Sequence, residues 1–326
     1  LFTLTTLIPY FFPLVLITSL SQETHMKLKA LVVALAIGFG SAAYAQSTGP
    51  IKIGFITDMS GLYADIDGPA GGEVIKWAVQ DFGGKVLNRP IEVLTADHQH
   101  KADVASSKAR EWIDKDGLSM LISGVNSSTA LAMAKVAAEK KRPFIVIGAG
   151  SSRLTNEDCS PYTVHYAYDT VALAKVLGSA LIKAGNKSWY FLTVDYAFGH
   201  SLEADASAVV KANGGTVVGA VRHPLNASDF SSFLLQAQSS RAQILALANG
   251  GGDLTNAMKA AREFGITKTM KIAGLMVFIN EEHSLGLANT EGMQLAGSWY
   301  WNQDDASRKF ANRFFMKYKR MPSSIQ

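Results

Sequence analysis

The 326-residue sequence holds a single cysteine, Cys159. One thiol excludes an intramolecular disulfide and any cysteine-based metal site, and without a partner thiol it reads as a loop residue. No cysteine follows Ala45, which also excludes lipid attachment at an export cleavage site. Charge is sparse: 18% of residues are charged, the net charge is +4, and no stretch gathers five like charges. A nucleic-acid partner is therefore not expected, and the bases between Phe310 and Arg320 read as a solvated helix face. Enzyme signatures are missing as well. There is no G-x-S-x-G elbow, no G-x-x-x-x-G-K-[ST] phosphate loop and no H-E-x-x-H helix. Gly148-Ala149-Gly150 lacks the third glycine of a dinucleotide fingerprint, so no cofactor is implied. Asp97-His98-Gln99-His100 has no further ligand near it in sequence and reads as a polar loop, not a metal site.

What is present begins with an export signal. Met26-Lys27-Leu28-Lys29 is a basic start, Ala30 to Phe39 a short apolar run, and Ala43-Tyr44-Ala45 a small-residue cleavage site. Met26–Ala45 thus reads as a cleavable signal peptide for a protein released in soluble form into an oxidising exported space. Residues 1–25 read as an upstream artefact of the true start. Leu4 to Leu20 is apolar, but it falls short of the ~20-residue membrane span and carries Pro9 and Pro13. Phe310 to Arg320 reads as a helix with no closing element after it, so the C-terminal part is expected to be missing.

The whole sequence is 48% apolar, enough for a real core. Short β-rich runs alternate with helical patterns. Strands are expected at Ile51 to Ile56, Ile91 to Thr95, Leu118 to Ile122 and Pro143 to Ile147. The helices between them cover Glu73 to Phe82, Asp103 to Asp116 and Ser128 to Lys140. The pattern then restarts, with strands at Trp189 to Val194, Val217 to Val221, Ile244 to Ala248, Met270 to Ala273 and Met293 to Tyr300. Helices Thr170 to Ala184, Ser201 to Ala212, Ser228 to Gln238 and Asp253 to Phe264 alternate with these. The fold class is α/β: two doubly wound lobes with a cleft between them. The first lobe spans 46–166, the second 167–298, and 299–326 returns toward the first.

In open parallel sheets ligands gather beyond the carboxyl ends of the strands. Ser123-Gly124-Val125-Asn126-Ser127-Ser128-Thr129 follows one such strand and opens a helix, where small polar side chains and backbone N–H groups make an anion site. Gly148-Ala149-Gly150-Ser151-Ser152 follows the next, and its missing side chains let a ligand approach the backbone. The plainer alternative is that Ser127 or Ser128 caps the helix and the glycines turn the chain. Gly250-Gly251-Gly252-Asp253 reads as a tight bend beside the cleft.

Four segments together resemble a known family. They are Gly54-Phe55-Ile56-Thr57-Asp58-Met59-Ser60-Gly61, Asn126-Ser127-Ser128-Thr129, Gly148-Ala149-Gly150-Ser151-Ser152-Arg153-Leu154-Thr155 and Asp195-Tyr196-Ala197-Phe198-Gly199. From about Pro50 onward the chain resembles the periplasmic substrate-binding proteins of ABC importers, of the leucine/isoleucine/valine-binding type. The resemblance implies the type I periplasmic binding protein fold, a periplasmic location, a monomer, and a small carboxylate delivered to an inner-membrane ABC permease. It places the carboxylate against Asn126, Ser127 or Ser128 and the backbone of Gly148, Ala149, Gly150 and Ser151. From the second lobe it brings Phe198 as an aromatic wall, with Asn249 and Gly250 on the next cleft loop. Amino-acid-binding members place an acid for the ligand's ammonium in the loop after the strand that ends at Ala273. Here that loop is Gly274-Leu275-Met276-Val277-Phe278. Met276 cannot hold a desolvated ammonium, although Asp195, Asp253 or Glu281 could substitute. Cys159-Ser160-Pro161-Tyr162-Thr163-Val164-His165 and His223-Pro224-Leu225-Asn226 are similar to a subset associated with aromatic carboxylates, in which Tyr63, His165 or Tyr166 could meet a ring hydroxyl. An aromatic or hydrophobic organic acid is the expected cargo. A branched-chain amino acid, a sensor domain using the same cleft, and an exported hydrolase using Ser127 are the alternatives.

Overall fold

The computed structural model describes residues 49–326; the expected signal peptide Met26–Ala45 and residues 1–25 lie outside the described residues.

The first sheet is built from β1 (Ile51–Thr57), β2 (Lys85–Val86), β3 (Arg89–Asp97), β4 (Met120–Ser123), β5 (Phe144–Val146) and β6 (Thr163–His165). Its order is β2-β3-β1-β4-β5-β6, parallel throughout except for the short β2–β3 hairpin. The second sheet holds β7 (Ser188–Val194), β8 (Thr216–His223), β9 (Ile244–Ala248), β10 (Lys271–Gly274) and β11 (Gln294–Leu295) in the wholly parallel order β11-β10-β9-β7-β8. Helices α1 (Gly68–Asp81), α2 (Ala102–Asp114) and α3 (Ser127–Lys140) serve the first sheet. Helices α4 (Thr170–Lys183), α5 (Ala197–Ala212), α6 (Ser231–Ser239) and α7 (Gly251–Glu263) serve the second. They are followed by α8 (Ile279–Leu285), α9 (Leu287–Thr290) and α10 (Asp305–Tyr318).

Helices on both faces explain the continuous apolar strands: every residue of β9 is buried, as are Trp189 to Val194 of β7. Gly54 in β1 permits the close seat of α2, because a Cβ there would stand 2.7 Å from the Trp112 ring. Helix starts follow side-chain capping: Asp67, Asn126, Asp169 and Asp304 accept from first-turn N–H groups of α1, α3, α4 and α10. Helix α10 packs on α1, with Phe314 edge-on to Trp77 at 6.4 Å and Arg313 2.6 Å from Asp81.

The two-lobed α/β expectation agrees with these sheets, and most elements differ from their expected ranges only at the ends. One strand was overdrawn. Met293 to Tyr300 yields only the two-residue β11, since Gln294 and Leu295 sit exposed at the sheet edge with a partner on one side only. Strand β6 and helices α8 and α9 carry no clear periodicity in sequence and were not expected. No helix among the described residues is long and apolar enough to cross a membrane.

Candidate functional site

Strand order reverses at β1, between β3 and β4, and at β7, between β8 and β9. Loops diverge on either side of such a switch point and leave a crevice at the carboxyl ends. Here the crevices of the two sheets face one another, and a small cavity lies between them. From the first lobe it is lined by Tyr63, Ile66, Val125, Asn126, Ser127, Gly148, Ala149 and Gly150, and from the second by Tyr196, Phe198 and Met276.

One wall carries hydrogen-bond donors. Ser127 is the first residue of α3, and its Oγ accepts from Ser151 N at 3.1 Å, which leaves its hydroxyl proton for another partner. Among the described residues, the amides of Ser127, Ala149 and Gly150 donate to no protein acceptor. The positive end of α3 adds to this wall. Asn126 caps the helix: its Oδ1 accepts from Ser128 N at 3.0 Å and Thr129 N at 3.2 Å, and its Nδ2 lies 3.1 Å from His100 Nδ1. The cap is thus Asn126, not Ser127 or Ser128. The Ser128 N–H is spent on it, and Ser128 lies outside the cavity lining.

Asp67 ties the first-lobe loops together. It is fully buried and accepts from Thr57 Oγ1, Gly68 N and Val125 N at 2.8–2.9 Å. Burial pushes its carboxyl up to about 7 against the pull of those donors. Gly124 leaves room for it, since a Cβ there would stand 1.8 Å from Asp67 Oδ2. Gly150 is required on the cavity side: a Cβ would press on Tyr168 and Phe198 at 3.1 and 3.2 Å.

The opposite wall is aromatic and apolar. Phe198 and Met276 are 2% and 7% exposed and share one buried cluster with Tyr63, Ile66 and Val125 of the first lobe. Within this wall the Tyr63 and Tyr196 hydroxyls meet across the lobes at 3.2 Å. Burial raises both phenols above their ordinary range, so each is a neutral donor and acceptor. More bonds join the lobes nearby. Ser151 Oγ meets Ser201 Oγ at 2.7 Å, and Asp205 accepts from Ser152 Oγ at 2.9 Å across the lobes and from Thr170 Oγ1 at 2.6 Å within the second.

Of the residues singled out by sequence, Tyr63, Asn126, Ser127, Gly148, Ala149, Gly150, Phe198 and Met276 converge on the cavity. The others sit elsewhere. Ser151 is buried just behind the donor wall, in its pair with Ser201. His165 lies beneath it, 2.7 Å from Ala149 O, and steadies that loop. Tyr166 is 78% exposed and points away, so it meets no ring in the cleft. Asn249 is buried against His223 at 3.1 Å, and Gly250 flanks Met276 at the start of α7. Tyr196, Ile66 and Val125 were missed. Tyr196 follows β7 directly, so the strand-end rule that selected the neighbouring loops also points to it.

The acids considered for an ammonium are engaged elsewhere. Asp253 accepts from Asn226 N and Ala227 N at 3.0 Å each, and Asp195 pairs with His200 at 2.7 Å on the surface. Glu281 is buried behind Gly250, where it takes Phe278 N at 2.6 Å and Gly251 N. Burial pushes Glu281 up to about 8.

Residues 50–326 match a protein family described as periplasmic binding protein. A Leu/Ile/Val-binding protein homolog of Brucella melitensis is 29% identical over 253 residues, which cover 77% of this chain and 63% of that relative. The chain therefore spans less than two thirds of that relative's length. The structure of a periplasmic binding protein from Burkholderia mallei superposes with a TM-score of 0.84 at 68% identity, over 85% of this chain and 74% of that one. A solute binding protein of an ABC transporter from Rhodopseudomonas palustris, in complex with 3,4-dihydroxy benzoic acid, superposes with a TM-score of 0.75 at 27% identity, over 85% of this chain and 76% of that one.

Proposed function

This chain belongs to the periplasmic binding protein family, and from that membership we propose that it captures a small aromatic carboxylate for an ABC importer. One observation carries the choice of cargo. The cavity wall combines hydroxyl and amide donors with aromatic and apolar side chains, and no carboxylate lines it. A carboxylate ligand finds donors at Ser127, Ala149 and Gly150, while its ring lies against Phe198 and Met276. The paired Tyr63 and Tyr196 hydroxyls suit a ring hydroxyl, as both donor and acceptor. An α-ammonium group would find no ionised partner there, and burying it unpaired is costly.

Mechanism follows from the position of the cavity between lobes. A ligand that touches the donor wall on one lobe and the aromatic wall on the other binds the closed arrangement better than the open one, and so shifts the population toward closure. The closed form is then the one a membrane permease receives. Ser127 has no basic partner for nucleophilic work: among the described residues its Oγ meets the Ser151 amide and no imidazole.

Names among the relatives favour a branched-chain amino acid as the second reading. A thermal-shift and calorimetric screen separates the two. Benzoate, 4-hydroxybenzoate or 3,4-dihydroxybenzoate at ~100 times its dissociation constant should stabilise the protein by about 2.7 kcal/mol, with leucine inert. Stabilisation by leucine and by none of the aromatic acids would reverse the assignment.

A further inference from the structure

The segment Asp97-His98-Gln99-His100 lies behind the donor wall, and ligand contact makes no use of it. We propose that His98 and His100 are positioning residues that hold the donor wall in its binding shape, each as a neutral imidazole with its proton on Nε2. The proposal rests on the reading of the cleft as the ligand site.

Asn126 is what they hold. Its φ of 85° lies in the region that side chains other than glycine rarely adopt, and such a residue persists only when its surroundings over-determine it. Three contacts do so. Asp67 Oδ2 accepts from Val125 N at 2.9 Å, His98 Nε2 lies 3.1 Å from Val125 O, and His100 Nδ1 lies 3.1 Å from Asn126 Nδ2. The strained residue thereby aims Ser127 and the start of α3 into the cavity.

Proton positions follow from partners of fixed polarity. The His100 backbone N–H, 3.1 Å away, donates to His98 Nδ1, so the His98 proton is on Nε2, where Val125 O receives it. The Asn126 amide is oriented by the two N–H groups that its Oδ1 accepts, so its Nδ2 faces His100 as a donor. His100 Nδ1 must then accept, and its proton is on Nε2, 2.7 Å from Asp58 Oδ2. That N–H points off the line to the oxygen, so the contact is electrostatic, not a linear hydrogen bond. Asp58 in turn takes the Gly61 and Tyr63 amides at 2.6 and 2.7 Å. His100 therefore connects the segment carrying Tyr63 to the cap of α3, and its ring stands edge-on to Tyr63 at 5.1 Å. Besides each other, the charged and titratable groups around the two rings are Asp58, Asp97 and Tyr63, with Asp253 acting on His100 from α7. The imidazole nitrogens are thus engaged within the protein, and no group of three metal-ligating side chains exists among the described residues.

The test uses the whole chain, with benzoate and 4-hydroxybenzoate as probes. His100→Asn keeps an acceptor near the Nδ1 position, and His98→Gln keeps a donor near the Nε2 position. Both should bind within about threefold of wild type, whereas His100→Leu and His98→Leu should each lose about tenfold. Long-range proton–nitrogen NMR of the wild type should show the Nε2–H form at both rings. A proton on Nδ1 of either ring overturns the proposal. Leucine variants that bind like wild type, or amide variants as weak as the leucine ones, overturn it too. If neither acid binds the wild type, the cargo reading fails, and the ring proton positions still decide this one.

Discussion

At the residue scale, the cavity assigns different tasks to side chains of similar chemistry. Ser127 presents a hydroxyl to the cavity, whereas Ser128 only feeds the cap of α3. Tyr63 and Tyr196 share one hydroxyl contact inside the wall, whereas Tyr166 faces outward. Removing either inner phenol should therefore act on ring hydroxyls selectively. Tyr63→Phe or Tyr196→Phe is expected to weaken 4-hydroxybenzoate about five- to tenfold and benzoate less than twofold, read by calorimetric titration. Equal losses for both acids would assign these hydroxyls a packing role only. Glu281 gives a pH prediction. Burial raises its carboxyl to about 8, so the folded state favours the protonated form. The stability this contributes is complete below its ordinary range near 4.5 and is lost as pH rises through about 8. The loss is on the order of 5 kcal/mol at full ionisation. Melting temperature should thus drop between pH 5 and pH 9, and Glu281→Gln should flatten that drop in calorimetric scans.

At the element scale, glycines decide where helices and strands can meet. Gly124 lies between β4 and α3, and an added Cβ would stand 1.8 Å from Asp67 Oδ2 and 2.2 Å from Thr57 Oγ1. Gly199 in the first turn of α5 would put its Cβ 2.0 Å from Val194 O. Neither neighbour can yield, because one is a triply bonded buried carboxylate and the other is strand backbone. Gly124→Ala and Gly199→Ala should each cost about 3 kcal/mol or more, measurable by urea unfolding. Exposed Gly214 at the end of α5, with φ +78° and open space around its Cβ position, should cost less on the same substitution. Helix-level reading from sequence worked where the pattern was long, as at α4, expected at Thr170 to Ala184 and found at Thr170–Lys183. It failed at β11 and α8, where edge exposure or short length erases the pattern.

At the scale of the whole molecule, the lobes are joined by bonds that do not touch the cavity. Asp205 of α5 accepts from Ser152, and Asn280 reaches the Asp65 carbonyl at 2.6 Å. Asp205→Ala should bias the lobes toward opening and weaken every ligand by the same factor, since only the competent fraction changes. The ratio of benzoate to 4-hydroxybenzoate affinity is expected to stay at its wild-type value. A changed ratio in titrations of this variant would mean that Asp205 acts on the cavity itself.

The alternation of apolar strands with amphipathic helices is local information, and it determined by itself the α/β class, the parallel sheets and the loops that flank the cleft. The donor loop was legible for the same reason: Asn126-Ser127 and Gly148-Ala149-Gly150 each follow a strand directly. Pairings between residues far apart in the chain were decided only by tertiary structure. Tyr63 meets Tyr196, Ser151 meets Ser201, and His100 supports Asn126, contacts that no periodicity records. Burial is likewise a property of the folded whole. It sets Asp67 and Glu281 high by removing water from their carboxyls, while the nearby amides and the adjacent His100 ring outweigh the same effect at Asp58 and hold it at about 2. Residue types name the chemistry that is possible, and desolvation together with long-range contact decides which of those groups line the cavity.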